Sequence, residues 1–272
     1  SIMKTTKKLL IVMALFALLF TNATVAQDAE TPQYYTVTTM HWNMENQDTT
    51  WVKTEKEYLE KVTRKNQYIM GAGFYLHRWS DDNTELKYVQ VFSSWENIDK
   101  ASTRNGELEK EAWPDEKVRT AFLKRQNDFY SVNHSDEIYA VLPGSKPLSS
   151  DLTEDKILYL QRQHFASPKE GSNKEFNELN KEFVENVIHK NEYIKGYYPH
   201  MHAWGADRTE FMHAYFLDSM SDLEKMAERN GELVRAHWKT PESRKAFFEK
   251  YNKYTTGVHG DQVYTAIAEL RK

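Results

Sequence analysis

The sequence contains no cysteine among its 272 residues. That excludes disulfide staples, a thiolate metal site and a lipid carried on an N-terminal cysteine, so stability must come from burial. It has no excess of base either. Lys and Arg number 36 against 40 Asp and Glu, a net charge of -4, and nothing recommends nucleic acid as a partner. Only one apolar run is long, residues 9–20, and the mean hydropathy is -0.77, which excludes a multispanning membrane protein. There is no Gly-rich phosphate loop, no Ser nucleophile elbow and no HExxH. With 13% aromatic residues the chain can nevertheless fill a real core, which excludes a disordered polypeptide.

The one apolar run follows a basic start of Lys4, Lys7 and Lys8 and precedes the small residues Thr24, Val25 and Ala26. This pattern predicts a secretory signal peptide over residues 1–26, because a run of 12 is short for a membrane anchor. Cleavage after Ala26 leaves 246 residues starting at Gln27. It removes three lysines and no acid, so 33 basic residues face 40 acidic ones and the net charge becomes -7. Such a surface helps solubility and disfavours anionic membranes. The leader and the Gln after it resemble exported proteins of Bacteroidota-type Gram-negative bacteria, which implies a periplasmic or secreted location.

The dominant feature is an internal duplication. Asn66-Gln-Tyr-Ile-Met-Gly71 returns as Asn191-Glu-Tyr-Ile-Lys-Gly196, an offset of 125 that holds without a gap from Asn66 to Ala140, with 24 identities over the first 74 positions. His77 matches His202, Trp79 matches Trp204, and Arg104-Asn-Gly-Glu-Leu108 matches Arg229-Asn-Gly-Glu-Leu233. Upstream the offset is 123, pairing His41 with His164, so the second copy has a loop two residues longer. The expected organisation is one repeat over 27–142, a linker over 143–156 that opens Pro-Gly-Ser-Lys-Pro, and a second repeat over 157–272.

Each copy reads β-α-β-β-α-α-β. Strands are expected at 34–42, 72–80, 85–93 and 138–142, and at 157–165, 197–205, 210–218 and 263–268. Ser93 and Ser221 are expected to open a helix through Ser-x-x-Glu capping boxes, and that helix is expected to break at Asn105-Gly106 and Asn230-Gly231. This order, with Val91-Phe-Ser-Ser-Trp95 opening a helix after the third strand, resembles the dimeric α/β barrel superfamily, including antibiotic-biosynthesis monooxygenase-like, EthD-like and NIPSNAP-like domains. The resemblance implies an α+β fold in which two tandem ferredoxin-like repeats form one intramolecular pseudo-dimeric barrel. It does not imply an activity, because the same barrel serves unrelated chemistries.

Strand alternation sorts the candidate site residues. Tyr75, His77 and Trp79, with His200, His202 and Trp204, are expected to face the interior. On the third strands Tyr88, Gln90, His213 and Tyr215 are expected to join them. His77 and His202 are then acid–base candidates, and Tyr75, Trp79, Tyr88, Gln90, Trp204 and Tyr215, with His41 and His164 at a mouth, would contact an aromatic or planar ligand. A turn centred near Ala206-Asp207 would set His200 opposite His213, so that His200, His202 and His213 form a triangle able to hold Zn, Cu or Fe(II) for an oxygenase or lyase. The competing reading is a wet cavity whose His and Tyr simply hydrogen-bond one another. Haem is a further candidate cofactor, since tandem barrels of this superfamily include the chlorite dismutase-like group, although no motif singles out a proximal His. A non-catalytic structural or assembly role, with a filled barrel and further oligomerisation, is the remaining alternative. Asp82 and Asp207 are read as turn residues, His134 and His259 as helix caps, and Trp113 and Trp238 as core anchors.

Overall fold

The computed structural model describes residues 31–272. The expected signal peptide lies outside them. Among the described residues no helix is long and apolar enough to cross a membrane. The first repeat runs β1 (Tyr34–Trp42), α1 (Trp51–Lys61), β2 (Gly71–Trp79), β3 (Glu85–Phe92), α2 (Trp95–Ala112), α3 (Glu116–Asp128) and β4 (Tyr130–Val141). The second runs β5 (Lys156–Phe165), α4 (Asn173–Phe183), β6 (Gly196–Trp204), β7 (Glu210–Leu217), α5 (Ser221–His237), α6 (Pro241–Asn252) and β8 (Thr255–Ala266).

The eight strands close into one barrel in the order β1-β3-β2-β8-β5-β7-β6-β4, every pair antiparallel. Each repeat contributes a four-stranded sheet whose edges are the second and fourth strands. β2 pairs with β8 and β4 with β6, so the two repeats satisfy each other's open edges. Between barrel wall and helices lie the main apolar clusters. In the first repeat Phe74, Leu86 and Phe92 are buried there, and in the second Tyr197, Phe211, Leu217 and Ile188. Trp113 and Trp238 anchor equivalent corners, each 4.1 Å from a phenylalanine ring (Phe122, Phe247) and each donating its indole N–H to a glutamate, Glu57 or Glu182.

Local details depart from the sequence reading in three places. α2 and α5 run straight through Asn105-Gly106 and Asn230-Gly231, and neither glycine takes a positive φ. The cost of a mid-helix glycine, about 1 kcal/mol, is outweighed by the anchoring on either side. Leu108 and Leu233 are buried, and Asn105 and Asn230 accept hydrogen bonds from the fully buried Asn66 and Asn191 at 2.7 and 2.8 Å. The caps are also shifted. Ser94 accepts from the Asn97 N–H, and its counterpart Ser219 bonds the Asp222 carboxylate through both N–H and hydroxyl, so Ser93 and Ser221 are not the caps. Finally, β4 and β8 start eight residues before the expected position and reach 12 residues, because each pairs along its length with a first strand, β1 or β5. His134 and His259 therefore sit in these strands beside Asp136 and Asp261 rather than capping helices.

The Asn66 and Asn191 side chains explain why their motif is repeated. Each donates to a helix carbonyl (Ala101 or Met226) and accepts from the N–H two residues on, which pins the segment before the second strand to the long helix. Replacing either with Ala strands those buried partners. Asn66→Ala and Asn191→Ala are each expected to lower stability by about 2–3 kcal/mol in urea unfolding, with little change in the slope against denaturant.

Candidate ligand cavity inside the barrel

The hairpin registers decide which side chains point inward. Tyr75 lies opposite Lys87 on β2–β3, and His200 lies opposite Met212 on β6–β7. Directly opposed residues share a face. Tyr75, Lys87, Val89, His200, Ala214 and Phe216 thus line a cavity of about 530 Å³ inside the barrel, together with Tyr35 and Tyr198. One end is covered by the inter-repeat segment at Pro143, Gly144, Ser145 and Leu148 and by Arg271 and Lys272. Gly144 has φ of 101°, and a Cβ there would come within 2.9 Å of Val184, so the close turn requires glycine. The segment is tied down by the Leu148 N–H donating to the Tyr198 hydroxyl at 2.8 Å and by paired backbone bonds between Lys146 and Tyr197.

His200 is the imidazole of this cavity, and only 7% of it is exposed. Its Nδ1–H donates to the Tyr198 carbonyl at 2.9 Å, leaving Nε2 as the acceptor. The Tyr35 and Tyr139 rings meet it edge-to-face at 5.4 and 5.1 Å. Burial pushes its pKa down to about 4, so it is neutral at pH 7. Burial likewise pushes the Tyr75 hydroxyl up to about 12, with the neighbouring Tyr198 adding to the rise.

Toward the opposite end the interior turns polar. The Tyr139 hydroxyl donates to Glu210 at 2.8 Å, and the Tyr264 hydroxyl donates to Glu85, so each bond joins the two repeats. Lys87 sits 3.3 Å from Glu85, donates to Thr39 at 3.0 Å and lies 5.5 Å from the Tyr264 ring centre. Arg162 serves Glu210 at 3.7 Å. The cation comes from the third strand in one repeat and from the first strand in the other, yet each carboxylate receives one. Beyond this belt His41 and His164 pair with the turn residues Asp82 and Asp207 at 3.2 and 3.1 Å. Both aspartates also accept from the N–H and hydroxyl of a threonine two residues on, Thr84 or Thr209.

These registers correct the expected site by one residue. Tyr88, Gln90, His213 and Tyr215 occupy the outer face, under the helices. A single-residue slip transfers a whole strand to the other side. The slip comes from the turns, where Glu85 and Glu210 donate their N–H to the carbonyls of Asp82 and Asp207. His213 shares a 2.6 Å hydrogen bond with the Tyr197 hydroxyl in the helix-side core, and burial lowers its pKa to about 3. His200 faces the cavity and His213 faces away, so His200, His202 and His213 do not form the expected metal triangle. Among the described residues no three His, Asp or Glu side chains group as metal ligands. His77 and His202 lie beside Tyr264 and Tyr139 in register, at the polar end and outside the cavity lining, and His77 Nδ1 contacts the Ser80 hydroxyl at 2.8 Å. Trp79 and Trp204 are 65% and 66% exposed on the rim. Of the residues named from sequence, the structure brings Tyr75 and His200 to the cavity. Lys87, Tyr35, Tyr198, Arg271 and Lys272 were missed. Lys87 had a visible signal as the one cation within its strand, whereas the other four had none.

The donor chemistry tests a haem directly. His200 offers one neutral imidazole whose Nδ1–H is already directed to a carbonyl, the arrangement that orients a single ligating nitrogen, and Arg271 and Lys272 could meet acidic substituents. Among the described residues, His200 alone would hold such a group by an imidazole, and there is no multi-histidine centre.

Two buried neutral imidazoles make stability pH-dependent. With folded pKa values near 4 and 3 against about 6.5 unfolded, the unfolded chain binds more protons below pH 6.5. Their contribution is complete above that pH and is lost as pH falls toward about 4, on the order of 3 kcal/mol for each. Urea unfolding at pH 7 and pH 4.5 should show a smaller acid loss in a His200→Gln, His213→Gln double variant than in the parent. Equal losses in both would contradict buried, neutral histidines.

No protein family model and no curated protein matches the chain. Solved structures do resemble it. A candidate monooxygenase of Fusobacterium nucleatum superposes with a TM-score of 0.54 at 11% identity, covering 86% of this chain and 91% of its own. A second candidate monooxygenase, from Lactobacillus acidophilus, gives 0.50 at 10% identity, over 87% and 94%. A chlorite dismutase mutant from Candidatus Nitrospira defluvii gives 0.50 at 13% identity, over 88% and 92%. At such identities the likeness is one of fold: the chain has the dimeric α/β barrel fold of these proteins, with both ferredoxin-like units on a single polypeptide.

Proposed function

We propose that the barrel is a receptacle for one small aromatic or otherwise planar molecule, held among Tyr35, Tyr75, Tyr198 and Phe216, with His200 Nε2 accepting a hydrogen bond from it. The observation that carries this reading is the cavity itself. At about 530 Å³ it falls in the range of small-molecule sites, and its wall is aromatic and aliphatic with few polar groups. A barrel serving only as structure would be filled by side chains, so the open interior favours binding over a purely structural role. His200 suits recognition better than proton transfer, because an imidazole with a pKa of about 4 is a weak base at neutral pH. The acid–base roles expected of His77 and His202 gain no support, since both lie away from the cavity wall. From the leader pattern of residues 1–26 we also propose a periplasmic or secreted location.

A second reading is favoured by the His200 tautomer. Haem held through His200 Nε2 would supply oxidative chemistry, while the surrounding tyrosines and apolar residues excluded water from its pocket. A Soret band in protein purified without chelators, absent from His200→Ala, would establish that alternative.

The cavity reading is tested with a neutral planar probe, N-phenyl-1-naphthylamine, followed by fluorescence. One saturable site is expected. Ala214→Trp, which fills the cavity from β7, should weaken the probe by at least about tenfold while the far-UV circular dichroism is unchanged. Val89→Phe serves the same purpose from the facing wall. Equal binding by the parent and both filled variants would overturn the proposal.

A further inference from the structure

The residues with charged side chains that line the cavity are all basic. Lys87, Arg271 and Lys272 line it, and no Asp or Glu does, in a chain with more acids than bases overall. Lys87 is already matched, lying 3.3 Å from Glu85. Arg271 and Lys272 are not. Among the described residues neither is within salt-bridge distance of an Asp or Glu side chain, and both donate only to backbone carbonyls. Arg271 donates to Ser149 at 3.1 Å, and the Lys272 ammonium donates to Thr63 and Asn66 at 2.9 and 2.7 Å. One of five guanidinium N–H groups is thus used, and two of three ammonium N–H groups.

These two cations are positioned rather than loose. The Ile267 N–H donates to the Phe74 carbonyl at 3.1 Å and the Lys272 N–H to the Ala72 carbonyl at 2.9 Å, which lays this segment along β2 at the end of the barrel. The Arg64 guanidinium, itself paired with Glu60 at 3.0 Å, donates to the Arg271 carbonyl and so holds that residue in place. The Arg271 charge is felt inside the cavity, where it opposes the rise of the Tyr75 hydroxyl pKa, and burial, with Arg64 adding to it, lowers that of Lys272. Two unmatched cations at one end of an apolar, aromatic cavity call for an anion attached to an apolar body. His200 Nε2 elsewhere on the wall calls for a hydrogen-bond donor.

We infer that the ligand is an aromatic carboxylic acid, or an equally planar monoanion, that places its acid group against Arg271 and Lys272, its ring between Tyr75, Tyr198 and Phe216, and a hydroxyl or amino hydrogen toward His200. This rests on the cavity reading above and narrows it to one charge class. The charge pairing is charge-assisted and partly desolvated, so it outweighs a surface ion pair.

The test uses three probes of one shape on the mature protein, by calorimetric titration: 2-naphthoate, 2-naphthamide and 2-naphthylmethylammonium. The carboxylate should bind about tenfold tighter than the amide at low salt, and the ammonium weakest. That preference should disappear in Arg271→Gln, Lys272→Gln, with amide binding retained. Independently of any variant, it should shrink in about 0.5 M salt, where screening is short-ranged. A carboxylate advantage that survives in the double variant would overturn the assignment to these two residues. Equal binding of carboxylate and amide to the parent would overturn the charge class while leaving the cavity reading intact, and so would N-phenyl-1-naphthylamine binding with no carboxylate binding. N-phenyl-1-naphthylamine binding that is insensitive to Ala214→Trp and Val89→Phe would remove the cavity reading, and this inference with it.

Discussion

Edge closure governs this molecule. Each ferredoxin-like repeat makes a four-stranded sheet with two open edges, and an open edge exposes a row of unpaired backbone donors and acceptors. Here the edges of one repeat are met by those of the other, β2 by β8 and β4 by β6. Once both seams form, the sheets have no free edges and enclose a shared interior. The helices then have only the outer face to cover, which is where Phe74, Leu86, Tyr197 and His213 are buried. The long fourth strands and the two Tyr–Glu bonds across the seams follow from the same closure.

The scaffold is nearly two-fold symmetric, but its interior is not. Asn66 and Asn191, Trp113 and Trp238, Glu57 and Glu182, and the His–Asp pairs at the rim recur with the same partners, because they hold helices and turns to the barrel. Where the wall faces the cavity the repeats diverge. Tyr75 stands where the second copy has His200, Gly73 where it has Tyr198, Lys87 where it has Met212, and Val91 where it has Phe216. A duplicated chain can vary these positions independently, since none of them makes the hydrogen bonds that align helix and strand. The outcome is one asymmetric cavity, carrying a single imidazole and its unmatched cations toward one end.

The architecture was legible in the sequence because the repeat compares the chain with itself. An offset of 125 held over the whole hairpin-to-strand stretch shows two units of the same element order, and the open edges of that unit imply pairing. Helix ends were less legible. The glycine of Arg-Asn-Gly-Glu-Leu reads locally as a terminus, and only the buried Asn66 and Asn191, distant in sequence, show why the helix continues. The site was least legible. Alternation along β2 and β6 correctly grouped Tyr75 with His200 on inward positions, but alternation says nothing of how two strands are aligned, and one residue of misalignment moved Tyr88, Gln90, His213 and Tyr215 to the wrong side.

By itself, then, the sequence determined the duplication, the strand and helix order and the amphipathic faces within each strand, because these are local or self-similar properties. Tertiary structure alone decided the register between strands, and with it which histidine faces the cavity. It also decided the proximity of Arg271 and Lys272 to Tyr75. Register is set by turns that take up a backbone hydrogen bond at Asp82 and Asp207, and proximity by closure of the barrel. Neither quantity has a signature in the order of residues along one strand.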